Sequence, residues 1–238
     1  MLSVLVNSAA VLVGSAIGLL VNKGITKRFS DAIMTGIGLC IMYIGISGAL
    51  QGENPIVLVV SIALGVSAGT ALKLDERLNS LGKMIEKRFS RSGDADGKPP
   101  ISQGFVTASL LFCIGAMAII GSIESGLTGN HTIIFAKSTI DFISAIVLTV
   151  SLGVGVMFSA VSVLLYQGLL VLLAQLLRPL LDDPSMLAEI SCTGSVIIVG
   201  LGLNLIGVTK IKIADFLPAI VLAPLVYTVA RLIQQAIS

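Results

Sequence analysis

The chain has 238 residues, of which 55% are hydrophobic and 12% charged, against roughly 25% charged residues in soluble proteins. A mean hydropathy of +1.02 and apolar runs of about twenty residues, each long enough for a 30 Å hydrocarbon core, exclude a soluble domain of ordinary size. The net charge of +2 says little as a total, no nucleic-acid partner is expected, and the placement of the charges matters more.

The expected fold is all-α: one polytopic transmembrane bundle over residues 1–238, embedded in a lipid bilayer. Barrel strands would be short and alternating instead. Cys40, Cys113 and Cys192 lie inside apolar runs, and the chain has one histidine and no tryptophan. Neither a disulfide framework nor a metal or cofactor site is expected. The first run carries its first lysine after the apolar stretch, so it reads as a retained span rather than a leader.

Span one is expected over about Leu2–Val21. Its residues Ser3, Asn7, Ala10, Gly14 and Gly18 recur every three or four positions, and Gly14-x-x-x-Gly18 permits close backbone approach. Lys23, Lys27 and Arg28 follow, which places that loop in the cytoplasm and the amino terminus outside. Span two covers about Ala32–Leu50, with Tyr43 in mid-span. Span three covers Ile56–Leu72 and repeats the close-packing device as Gly65-x-x-x-Gly69. The polar stretch 73–103 holds seven basic and five acidic residues and is expected to be cytoplasmic. Leu74, Leu78, Leu81, Ile85 and Phe89 share one face of its first half, an amphipathic helix on the membrane surface. The second half, SRSGDADGKPP, is a linker by composition.

Span four covers about Gly104–Ile123 and exits to an outer loop in which His131 is expected to be solvated. Span five, about Lys137–Met157, carries a row spaced by four: Lys137, Asp141, Ala145, Thr149, Gly153. That row is a ridge of charged, polar and small side chains, beside an apolar row of Phe142, Ile146, Val150 and Val154. Such a seam packs on other helices or on a water-filled path. A turn is expected over Phe158–Ser162, then an apolar run over 163–181 ended by Asp182-Asp183-Pro184. Spans over Ile190–Gly207 and Phe216–Ile237 follow, the last broken by Pro218 and Pro224.

Two span counts compete. If 163–181 crosses, eight spans put Lys210 and Lys212 inside, and the charge rule prefers this version. Alternatively VGSAIG (13–18), LGVSAG (64–69) and LGVGVM (152–157) are one motif used three times, giving repeated two-helix units, seven spans, and an interfacial 163–181.

Lys137 and Asp141 are the leading candidate site. They are either an interfacial ion pair, with Lys137 snorkelling to the headgroups, or a cation or proton site centred on Asp141. Gln167, Asn7 and Asn204 are polar groups in apolar surroundings that serve as interhelical glue or contact a ligand. Thr149 and Tyr166 complete the candidate path, and Gly14, Gly18, Gly65, Gly69 and Gly153 are candidate packing residues. No enzyme activity is expected. Phosphate-loop, H-E-x-x-H and C-x-x-C patterns are missing, and Gly65-Val-Ser67-Ala-Gly69 matches the nucleophile-elbow pattern only inside an apolar helix.

Asn7 with Gly14–Gly18, AKSTIDFISAI (136–146), SLGVGVMFSA (151–160), LLYQG (164–168), GLGLNLIG (200–207) and LPAIVLAPL (217–225) together resemble one family over nearly the full chain. It is the group of bacterial integral membrane proteins called domain of unknown function 554. The resemblance implies a polytopic protein of the bacterial inner membrane, of a group loosely described as transporters. It favours Asn7, Lys137, Asp141, Tyr166, Gln167 and Asn204 over the other polar positions. Val163 departs from the family pattern, where a proline is expected, which weakens any argument for a kinked helix there.

Two functions follow as expectations. The first is a secondary transporter or channel for an ion or small solute, with Asp141 as its charged site. The second is a non-transporting scaffold or sensor whose 74–89 helix binds a protein or lipid partner. The glycine seams also admit a homo-oligomer.

Overall fold

The computed structural model describes residues 1–22, 27–78, 80, 100–114 and 116–237. Among them the regular structure is helical throughout. The helices are α1 (Leu2–Asn22), α2 (Lys27–Ala49), α3 (Pro55–Ala71), α4 (Ile101–Cys113), α5 (Ala116–Thr128), α6 (Thr132–Leu152), α7 (Gly155–Leu172), α8 (Ala174–Asp182), α9 (Pro184–Leu205) and α10 (Leu217–Ile237). A 3-10 turn over Ile213–Phe216 precedes α10. Of the amphipathic segment expected over 74–89, only residues 74–78 and 80 are described; the rest and the linker fall outside the described residues.

Local chemistry explains two of the helix starts. At α3, Asn54 accepts a hydrogen bond from Ile56 N–H and Pro55 takes the first helical position. At α9, Asp183 accepts from Met186 N–H and Pro184 follows it. Both pairings satisfy an orphan donor and place proline where no N–H is needed. The last helix does not break as expected: α10 runs unbroken from Leu217 with Pro224 inside it, and Pro218 stands in its first turn, where a missing N–H is harmless.

Among the described residues, six helices are long and apolar enough to cross a bilayer, or seven when α4 and α5 count as one span bent by 59°. The apolar α3 has 17 residues, at the short end of what a crossing needs. The break between α4 and α5 was not expected within span four. Ile114 there has extended backbone angles, φ −88° and ψ 129°.

Two boundaries correct the sequence reading. The chain turns at Gly153–Val154, not at 158–162, so the apolar run is α7 over Gly155–Leu172 followed by the short α8. Gly153 is therefore not a packing residue. Its φ of +71° and ψ of −158° belong to a region open essentially to glycine alone, and a side chain there would meet nothing. Residues 152–157 thus straddle the turn at Gly153–Val154, whereas 13–18 and 64–69 lie inside α1 and α3. The third copy of the supposed repeat has a different structural role.

Helix pairing is long-range. α1 packs on α6 and α7, α2 on α9, α3 on α10, and α4 on α7. A core of Val11, Ile41, Phe112, Leu148, Leu152, Val156 and Ile198 joins all of these pairs except α3 with α10. The contacts also sort the connections into two ends. At the first, Ser3 meets Ser125, Glu189 accepts from the amides of Glu53 and Asn54, and Arg231 meets Asp183. At the second, Asp215 accepts from the amide of Asp75, Lys212 faces Glu76, and Gly104 lies against Leu152.

Candidate functional site

The ridge on α6 is buried. Lys137, Asp141, Ala145 and Thr149 all face inward, and the surface they meet is the small-residue face of α1. A β-carbon added at Gly14 would sit 2.5 Å from the Phe142 carbonyl oxygen, and one at Gly18 would sit 2.6 Å from that of Ile146. Only glycine lets α1 approach so closely. Gly65 and Gly69 do the same for α3 against Ala219 and Asp215. Ser8 on α1 donates to the Ala160 carbonyl at 2.8 Å, which ties α1 to α7 as well.

That close approach brings four of the expected site residues together. Lys137 Nζ lies 2.5 Å from Asp141 Oδ2. Asn7 Nδ2 donates to the same Asp141 oxygen at 3.0 Å and to Gln167 Oε1 at 3.1 Å. Relative exposures of 0% for Asn7 and Gln167, 4% for Asp141 and 7% for Lys137 place the whole group inside the bundle. The Lys137 ammonium stands 6.0 Å from the centre of the Phe112 ring, close enough for a cation–π attraction. Because Phe112 is in the last turn of α4, the bend between α4 and α5 lies beside the charged pair.

The cluster is incompletely satisfied. Among the described residues, Asn7 Oδ1 and Gln167 Nε2 have no partner, and neither does the Thr149 hydroxyl two turns along the ridge from Asp141. Both hydrogen bonds to Asp141 fall on Oδ2. Lys137 has three N–H donors and one hydrogen-bond acceptor, Asp141. A buried polar atom left unpaired costs about 1–3 kcal/mol, so such a group inside apolar helices is a functional-site hypothesis by default.

The remaining expected residues are elsewhere. Asn204 ties down its own connection: Nδ2 donates to the Ile211 carbonyl at 2.7 Å, and Oδ1 accepts from Ile211 N–H and the Thr209 hydroxyl. It is a loop organiser at the second end, apart from the cluster. Tyr166 is half-buried and makes no hydrogen bond to the cluster; the next residue, Gln167, is the one that points in. Ser67 donates to the Ala63 carbonyl within the exposed side of α3, so the elbow pattern forms no elbow.

Two features escaped the sequence reading. His131 is not simply solvated: its Nδ1 lies 2.8 Å from the Ser125 hydroxyl, which is 2.9 Å from that of Ser3. Glu189 is 1% exposed; its Oε1 binds two backbone amides at the start of α3, each at 2.7 Å. It borders a cleft of about 590 Å³ lined also by Glu53, Asp183, Tyr227 and Arg231. The spacing of Ser3 and Asn7 was a usable signal for the first feature. Nothing local marks the second, because its partners are over 130 positions away in sequence.

A helical bundle with several membrane-length apolar helices and a charged pair sealed among them is a polytopic membrane protein. Comparison with known proteins makes the assignment specific: the chain belongs to the family described as protein of unknown function DUF554, which matches residues 2–228. It is similar to the uncharacterized membrane protein YdfK of Bacillus subtilis strain 168, with 31% identity over 95% of each chain. It is also similar to the uncharacterized protein YqgA of Escherichia coli strain K12, with 29% identity over 92% of each chain. No solved structure matches.

Proposed function

We propose that this protein is a secondary transporter or channel for an ion or small solute, with Asp141 as its charged site. The observation that carries the reading is the Lys137–Asp141 pair, buried among α1, α6 and α7 with polar atoms of Asn7 and Gln167 left unpaired. Lys137 acts as a resident cation. A proton or cation arriving at Asp141 competes with the ammonium for the same carboxylate, and release of Lys137 is the event that moves the helices. The bent α4–α5 pair beside Phe112 supports this, since interrupted helices at membrane depth line cavities or sites.

Charge placement supports a bacterial inner-membrane protein with its second end in the cytoplasm. Apart from Lys137, Arg178 and Arg231, every lysine and arginine among the described residues falls in or beside the connections at that end: Lys27, Arg28, Lys73, Arg77, Lys210 and Lys212. The amino terminus is then outside. The glycine contacts at Gly14, Gly18, Gly65 and Gly69 are made within one chain, so they lend no support to a homo-oligomer.

Proteoliposomes loaded with reporters for protons, sodium and potassium test the reading. Flux is expected in the wild type and is lost in Asp141→Asn, with both proteins eluting as one folded species. Equal flux in the two proteins overturns the assignment of Asp141. A wild type that moves none of the three ions shifts the weight to a scaffold role.

A further inference from the structure

We infer that the species moved is the proton, and that it enters from the first end through His131, Ser125 and Ser3. The inference rests on the transport reading and names its cargo and its path. Three groups form a continuous chain there: His131 Nδ1 to Ser125 Oγ at 2.8 Å and Ser125 Oγ to Ser3 Oγ at 2.9 Å. The chain leads inward. His131 is partly exposed, Ser125 is 6% exposed and Ser3 is fully buried.

Each wall of this chain continues toward the charged pair with another polar residue. On α1, Asn7 follows Ser3 by four positions, the next position on the same face. On α5, Ser122 stands three positions before Ser125, fully buried with its hydroxyl unpaired. On α6, Lys137 lies beyond the apolar Ile134 and bonds Asp141. The path therefore starts at the one histidine of the chain and ends at Asp141.

Contact distances choose the cargo. Oxygen and nitrogen atoms at 2.8–2.9 Å are already in hydrogen-bond contact, so no metal cation passes between them without opening the bundle. A proton does. Imidazole and hydroxyl groups each donate and accept, so one proton gained at one end is matched by one lost at the other. In the step, the imidazolium of His131 gives its Nδ1 proton to Ser125, and Ser125 passes its own to Ser3. Ser3 passes its own to Asp141 by way of water, which the relay requires in the turn between Ser3 and Asn7. The balance is a neutral imidazole, two unchanged hydroxyls and a protonated carboxyl group. Lys137 keeps its charge and loses its ionic partner.

The test is proton uptake into proteoliposomes under a potassium-diffusion potential, read for wild type, Asp141→Asn, His131→Gln and Ser125→Ala. Diethyl pyrocarbonate is added as a second probe, because only one imidazole is present to react. Uptake is expected to fall at least tenfold in His131→Gln and Ser125→Ala and to vanish in Asp141→Asn. The reagent inhibits the wild type, and hydroxylamine reverses it. Selective 15N labelling of histidine supplies a readout independent of flux: the single imidazole reports an Nδ1 hydrogen bond in the wild type that Ser125→Ala removes. Wild-type uptake abolished by Asp141→Asn but unchanged in His131→Gln and Ser125→Ala overturns the relay and leaves the transport reading standing. No proton uptake by the wild type also overturns the relay. Sodium or potassium flux that depends on Asp141 would then keep the transporter, and its absence would shift the weight to a scaffold role.

Discussion

Asn7 and Asn204 look alike in the sequence, each an amide in an apolar helix with small residues around it. In the structure they do opposite things. Asn204 makes its three hydrogen bonds to Thr209 and Ile211, all within seven residues, and it shapes the turn after α9. Asn7 reaches Asp141 and Gln167, over 130 positions away, and keeps an unpaired oxygen. A polar group satisfied locally explains itself as structure. One that joins distant helices to a charge, and stays unsatisfied, calls for a further partner.

The largest expected effect tests the charged half of that contrast. Lys137→Ala leaves the Asp141 carboxylate buried without its cation and should cost about 3–5 kcal/mol, measured by reversible unfolding in mixed micelles. Lys137→Met combined with Asp141→Leu should recover most of that stability and none of the flux. A double variant as unstable as the single one would mean that the pair holds the fold rather than a site.

Asn204→Ala removes three hydrogen bonds at about 1 kcal/mol each. Its loss of about 2–3 kcal/mol should appear as faster amide exchange over 205–213, with flux kept. Asn7→Ala should cost about 1–3 kcal/mol and take the flux with it. Equal transport phenotypes for the two asparagines would erase the distinction. Gly153→Ala tests the turn that aims α7, and hence Gln167, at the cluster. The strained backbone predicts a loss of about 1–3 kcal/mol, seen as a lower melting temperature in detergent. At the small end, Arg231→Ala removes a partly exposed pair with Asp183 and should change stability by about 0–1 kcal/mol, with no effect on flux.

Much of the site was legible in the residues. Spacing by four along 137–149 placed Lys137, Asp141 and Thr149 on one ridge, and the spacing of Ser3, Asn7, Gly14 and Gly18 placed a matching seam on α1. Periodicity identifies a face because helical geometry is the same in every protein. It does not say which face meets which. That is why Asn204 stood among the site candidates and His131 did not: both roles depend on hydrogen-bond partners brought in by folding.

Composition and hydropathy alone therefore settle an all-helical membrane protein, since an apolar chain in a bilayer must satisfy its backbone within its own helices. The local sequence also sets two of the helix starts, through Asn54-Pro55 and Asp183-Pro184. Helix pairing lay beyond them. The contacts of α1 with α6, the break after Cys113, the early turn at Gly153 and the meeting of Asn7, Asp141 and Gln167 depend on shape at close range. A glycine seam can fit many ridges, and only the packed bundle selects which ridge it takes.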